Sequence, residues 1–178
     1  HKEYRRQRQM CIRDSIWTLS GSAAKFIVLG DFTMRRATGF SLASSQTAQP
    51  IANGGTIELR GNLIVETGAY GGTTLLKLNG TGTQTYSYTG GIAPPIAIDK
   101  TSGSVSAASG TTDILTNALT LSQGTFNAPT GTLTIYPMTG ANETPLTYSG
   151  GTYNHSNGTL RLRSRPIYTA SFVPTYTL

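Results

Sequence analysis

The chain has one cysteine, Cys11, so no disulfide can form within it and no cysteine-based metal site can be assembled. It has one tryptophan and two histidines, and charged residues are only 12% of its 178. No stretch approaches the roughly 18 consecutive apolar residues of a membrane span, so no membrane insertion is expected from this segment. No amphipathic helical period persists, which argues against helical bundles and coiled coils. What is abundant is threonine, with 29 residues, alongside 21 glycines and much Ser and Asn. Thr with Val, Ile, Tyr and Phe is strand composition, and Gly, Asn and Ser between short runs are turn composition. Disorder is the competing explanation for such a chain. The pairs Leu119/Leu121, Leu133/Ile135 and Leu160/Leu162 oppose it, because apolar residues two apart imply a buried strand face. An all-β fold is therefore expected.

Arg5 to Asp14 reads RRQRQMCIRD and is followed by Ser15. The string resembles the translation of a transposon-end sequencing adaptor. Positions 1–15 are accordingly expected to be non-native or disordered and are set aside from the fold reading. A chain beginning at His1 without Met also reads as part of a longer frame. Five of the 14 basic residues and two of the eight acids lie in that stretch, leaving 9 − 6 = +3 on residues 16–178 instead of +6. The high isoelectric point then says little about partners. With no basic domain adjoining the basic arm, no nucleic-acid partner is expected.

Leu119 to Ile135 reads LTLSQGTFNAPTGTLTI, and Leu146 to Leu162 reads LTYSGGTYNHSNGTLRL. Nine of seventeen positions are identical without a gap, at an offset of 146 − 119 = 27 residues. Self-similarity at such a period marks a stacked repeat whose units bury their apolar face only against neighbours. Weaker heads at Phe32 and Leu63, with Ile96-Ala97-Ile98 and Val105 as a further copy, extend the pattern toward the N-terminus. On this alignment Phe32, Leu63, Leu119 and Leu146 share one position. Three short strands per copy, LTLS, GTFNA and GTLTI, separated by glycine corners, describe a β-helix coil. The expected fold is a right-handed parallel β-helix (solenoid) of about five or six coils over residues 16–165, with residues 166–178 as a tail, cap or partial coil. Asn127 and Asn154 share a repeat position. Two readings stand for them: an amide ladder between coils, or tolerance of a turn conformation.

The string Leu78 to Tyr86, LNGTGTQTY, resembles the FNGTGAQT signature of bacterial extracellular β-strand-repeat proteins. In those proteins it precedes a segment like Ile96 to Val105 and then copies of Leu119 to Ile135. The resemblance spans about Trp17 to Leu162. It implies a large, secreted or surface-attached, adhesin-like protein with a right-handed parallel β-helix. The departures are Arg161, Arg163 and Arg165 in the last copy and the patternless tail after Pro166.

Catalytic chemistry is not expected. The acids of residues 16–178 (Asp31, Glu58, Glu66, Asp99, Asp113, Glu143) are scattered, with no close pair for acid–base work. His155 aligns with Ala128, which marks a variable turn position rather than a general base or a ligand. Gly80-Thr81-Gly82-Thr83 lacks the lysine of a phosphate cradle, and the calcium-binding nonapeptide of β-rolls is absent. No cofactor or metal is expected. Two features are candidates for binding. Arg161, Arg163 and Arg165 alternate, so a strand would place three guanidinium groups on one face for an anion or glycan. The alternative is a solvated face or a charged edge that blocks strand pairing. Tyr86, Tyr88, Tyr148 and Tyr153 are candidate sugar-stacking faces or core residues, Tyr148 and Tyr153 replacing Leu121 and Phe126.

The sequence is thus read as a non-enzymatic stalk or adhesive segment of an exported bacterial protein, extracellular or cell-surface. Its expected partners are glycans or proteins of a host or matrix surface. The alternative is a polysaccharide-degrading β-helix enzyme or a phage tail-spike fragment. An antiparallel β-sandwich would make the 27-residue echo a coincidence of two hairpins.

Overall fold

In a computed structural model, the described residues are 24–35, 54–69, 72–137 and 144–163, with the backbone of 175–177. They form fourteen strands and no helix. In order these are β1 (Lys25–Val28), β2 (Phe32–Met34), β3 (Thr56–Leu59), β4 (Leu63–Val65), β5 (Leu75–Leu78), β6 (Gln84–Tyr88), β7 (Ile96–Ala107) and β8 (Ile114–Thr116). They continue as β9 (Leu119–Asn127), β10 (Thr132–Ile135), β11 (Leu146–Tyr148), β12 (Thr152–Asn154), β13 (Thr159–Leu162) and β14 (Thr175–Thr177).

The strands stack as a parallel β-solenoid of about four turns. One face runs β1, β3, β5, the start of β7, the start of β9 and β11, all parallel. A second runs β2, β4, β6, the end of β7, the end of β9 and β12. The third stacks Ala93, β8, β10 and β13, on which β14 lies antiparallel. Leu119 and Leu146 are parallel neighbours, as are Phe126 and Tyr153, which excludes the sandwich of hairpins.

The core consists of columns of like residues. Ile57, Leu76, Ile96, Leu119 and Leu146 stack in register, and beside them Leu59, Leu78, Ile98, Leu121 and Tyr148. Period-two alternation turns these positions inward, and all but those on the last rung are buried. On that rung Leu146 is only half-buried and Tyr148 is 62% exposed. The same column position is sealed where a further described coil covers it and open on the last described rung.

The column structure corrects the sequence alignment of the heads. Phe32 and Leu63 do stack on each other, but their column continues to Tyr86 and Ala107 on the second face. Leu119 and Leu146 belong to the first face, where Ile96 supplies the preceding member. The period also varies. The first-face offsets are 57 − 26 = 31, 76 − 57 = 19, 96 − 76 = 20, 119 − 96 = 23 and 146 − 119 = 27. The inward columns keep their register while the corners between them change in length.

One corner holds the only cation among the described residues that is buried. Seven steps separate Ile98 from Val105, against five between their partners Leu121 and Phe126, and the surplus turns Lys100 inward, 1% exposed. Its Nζ donates to the Gly80 carbonyl and to Gln84 Oε1 (2.8 Å). The buried Gln84 amide donates in turn to the carbonyls of Leu59 and Gly61, while Oε1 also accepts from Gly80 N–H. The network ties three successive coils together through neutral acceptors. Burial without a carboxylate partner lowers the lysine's pKa from its ordinary value. Gly124 lies directly above with φ +87°, and a Cβ there would meet Lys100 Cβ at 2.8 Å.

Two outcomes follow. Leu78→Ala, at a fully buried column position, is expected to cost about 2–5 kcal/mol in chemical denaturation. Tyr148→Ala at the open rung is expected to cost much less. For Lys100 the depressed pKa means that the folded chain sheds a proton before the unfolded chain does. Stability relative to Lys100→Met should therefore rise with pH from the folded pKa up to the ordinary lysine value near 10.5. Denaturation midpoints of both proteins across that window check the sign.

Candidate functional site

The third face carries the arginines. In β13, Leu160 points inward and Arg161 outward. The register Leu115, Thr134, Arg161 places Arg161 over outward side chains of the two preceding coils. Arg163 N–H donates to the Ile135 carbonyl at 2.9 Å, which carries the ladder past the end of β13 and keeps Arg163 on the same side as Arg161. Both are exposed. The Arg163 guanidinium lies 5.0 Å from the centre of the Tyr136 ring, a cation–π contact that orients it. Arg165 lies outside the described residues. The sequence reading missed Tyr136, although 163 − 136 = 27 is the offset of the duplicated segments. Reading that offset one strand further would have found it.

Charges on the first face are neutralised between coils. Glu58 is paired with Lys25 at 2.7 Å and with Arg60 at 3.3 Å, and Lys77 with Asp99, which also accepts from Gln123 Nε2 at 2.7 Å. The lysine hydrogen bonds hold both carboxyls below the usual carboxylate range, against the opposing effect of burial. Asp31 and Asp113 instead accept backbone N–H groups one coil away, from Asn62 at 2.9 Å and Thr132 at 2.7 Å. These four acids hold coils together. Among the described residues no carboxylate reaches Arg161 or Arg163. No group of three metal-ligating side chains occurs among them either.

The tyrosines divide by position. Tyr86 is buried, and desolvation raises its pKa well above the ordinary value. Tyr153 is half-buried with its ring 5.9 Å from that of Phe126, so both are core residues. Tyr88 is half-buried, its hydroxyl donating to the Gly91 carbonyl at 2.7 Å. Tyr148 alone of the four presents a large exposed surface, on the open rung, with its hydroxyl on the Gly151 carbonyl. His155 uses Nδ1 to accept Asn157 N–H at 3.1 Å, a turn role.

Asn127 and Asn154 form the amide ladder. Asn154 Nδ2 donates to Asn127 Oδ1 (3.2 Å), and Asn127 Nδ2 donates to Ser106 Oγ (2.8 Å). The last oxygen, Asn154 Oδ1, accepts Ser156 N–H at 3.2 Å and so ends the ladder inside the chain. These bonds run along the solenoid axis, parallel to the backbone ladder.

Scans against protein-family models, curated proteins and solved structures find no match to this chain.

Asn127→Ala removes the middle of the ladder and leaves two partners unpaired. It is expected to cost about 1 kcal/mol. Asn154→Ala, at the exposed end, should cost less. Urea midpoints of the two variants test the ordering.

Proposed function

We propose that the chain is a non-enzymatic structural and adhesive segment of a secreted or cell-surface bacterial protein. In this reading it is a rigid stalk whose flat outer faces contact glycans or proteins of a host or matrix surface. The observation that carries it is the continuous in-register stack from β1 to β11, a rod built by adding coils with the same inner columns. Such a rod resists extension because its backbone hydrogen bonds act together along the axis. Right-handed coiling belongs to the same proposal, since crossovers between parallel strands of one sheet are right-handed in nearly all proteins. The bacterial and exported parts rest on the resemblance of Leu78 to Tyr86 and of the segments that follow it.

The polysaccharide-degrading alternative needs carboxylates free to act on a glycan. Glu58 and Asp99 are tied into ion pairs, and Asp31 and Asp113 are bonded to neighbouring backbone, which leaves Glu66 as the one described acid outside such bonds and no second one to pair with it.

Spin labels test the rigid rod. In a Cys11→Ser background, labels at Ile27→Cys and Thr147→Cys occupy one outward column five rungs apart. At the sheet spacing they should give a single narrow distance near about 24 Å. A broad distribution contradicts the stalk. Release of new sugar ends from a polysaccharide panel contradicts the non-enzymatic reading.

A further inference from the structure

We infer that Arg161 and Arg163, with Tyr136 and the hydroxyls of Thr134 and Thr159, form a contact site for acidic polysaccharide. The site takes chains bearing carboxylate or sulfate groups on a hydroxyl-rich backbone. The inference rests on reading the rod's outer faces as a contact surface, and it names the ligand class of one face.

Three observations carry it. The first is charge. On the first face every described acid is matched across coils, whereas the third face exposes two guanidinium groups with no described carboxylate in reach. Asp113, the described acid on that face, is engaged with Thr132 N–H and faces Thr159 through two coils of register rather than the arginine end. The second is position. A charged strand can serve merely to protect a sheet edge, but β13 is not an edge, because β14 pairs along its far side with Thr175 opposite Arg161. Edge protection does not explain these arginines. The third is preorganisation. Arg163 is braced on the Tyr136 ring, and the two guanidinium groups leave one strand two residues apart, about 7 Å along it. Two guanidinium forks at that spacing, one of them braced, suit neighbouring carboxylate or sulfate groups of a polymer, each of which can be bound bidentately. The half-exposed Thr134 sits beside Arg161 on the preceding coil, and Thr159 precedes Arg161 by two residues on the same strand, so both hydroxyls are placed to meet sugar hydroxyls.

Nucleic acid fits less well. Its single-stranded forms need open aromatic faces for base stacking, and the one ring at this site is already covered by a guanidinium.

The test is binding of the full chain to immobilised polygalacturonate and heparin, with dextran, single-stranded DNA and free inorganic phosphate as separate arms. Retention on the two acidic polysaccharides and not on dextran is expected, weakening with salt. Arg161→Gln with Arg163→Gln should weaken it at least tenfold, and Tyr136→Leu about threefold. The charge-matched control Arg5→Gln with Arg6→Gln should change it less than twofold. Unchanged melting of all variants shows that folding is not the cause. Four outcomes overturn the inference: no retention, equal loss in the control, tighter binding of DNA than of either polysaccharide, or competition by phosphate without polymer binding. None of these touches the label distances, so the rod reading stands or falls separately.

Discussion

Register-matched stacking of parallel strands is the constraint from which the rest of the structure follows. A single coil has only three short strands and two or three inward side chains per face, too few to enclose a core. Its leucine or isoleucine is buried by the equivalent residue one coil away, and Tyr148 shows what remains when that residue is missing. Backbone ladders, apolar columns, the Ser106–Asn127–Asn154 chain and the paired charges of the first face all point along the same axis. Interactions between coils thus do nearly all the stabilising work.

Because the columns set the register, the corners are free to vary, and most of the individuality of this chain lies there. The coils differ by up to a dozen residues in length without disturbing the strands. Where a corner gains residues inside the rod, the chain fills the space with Lys100 and Gln84 instead of opening a void. A buried lysine with only neutral acceptors costs desolvation energy. That cost is offset by hydrogen bonds to the Gly80 carbonyl and Gln84, whose amide in turn joins the carbonyls of Leu59 and Gly61 and the Gly80 N–H.

What could be read from the chain in advance was what repeats. Leu119 to Leu162 states its own pairing twice, so the parallel arrangement and the Phe126–Tyr153 contact were legible. The assignment of Phe32 and Leu63 failed for a physical reason. A short apolar strand after a glycine corner looks the same on any face, and only the register shows to which column it belongs. Lys100 was not legible because Asp99-Lys100-Thr101 reads as a solvated turn until the two-residue surplus of that corner is known. Tyr136 was legible only through the offset it shares with Arg163. On the outer third face the repeat keeps Thr132 and Thr159 but breaks where Thr134 becomes Arg161, and nothing in the strand pattern requires that change.

The account depends most directly on Thr120 lying beside Thr147 on adjacent coils. Cysteines placed at these two positions in a Cys11→Ser background should form an intrachain disulfide under mild oxidation, as the spacing of neighbouring strands lies within the reach of such a bond. Cysteines at Thr120 and Thr134, on different faces, should not. Cross-linking of the second pair and not the first would contradict the stacked solenoid.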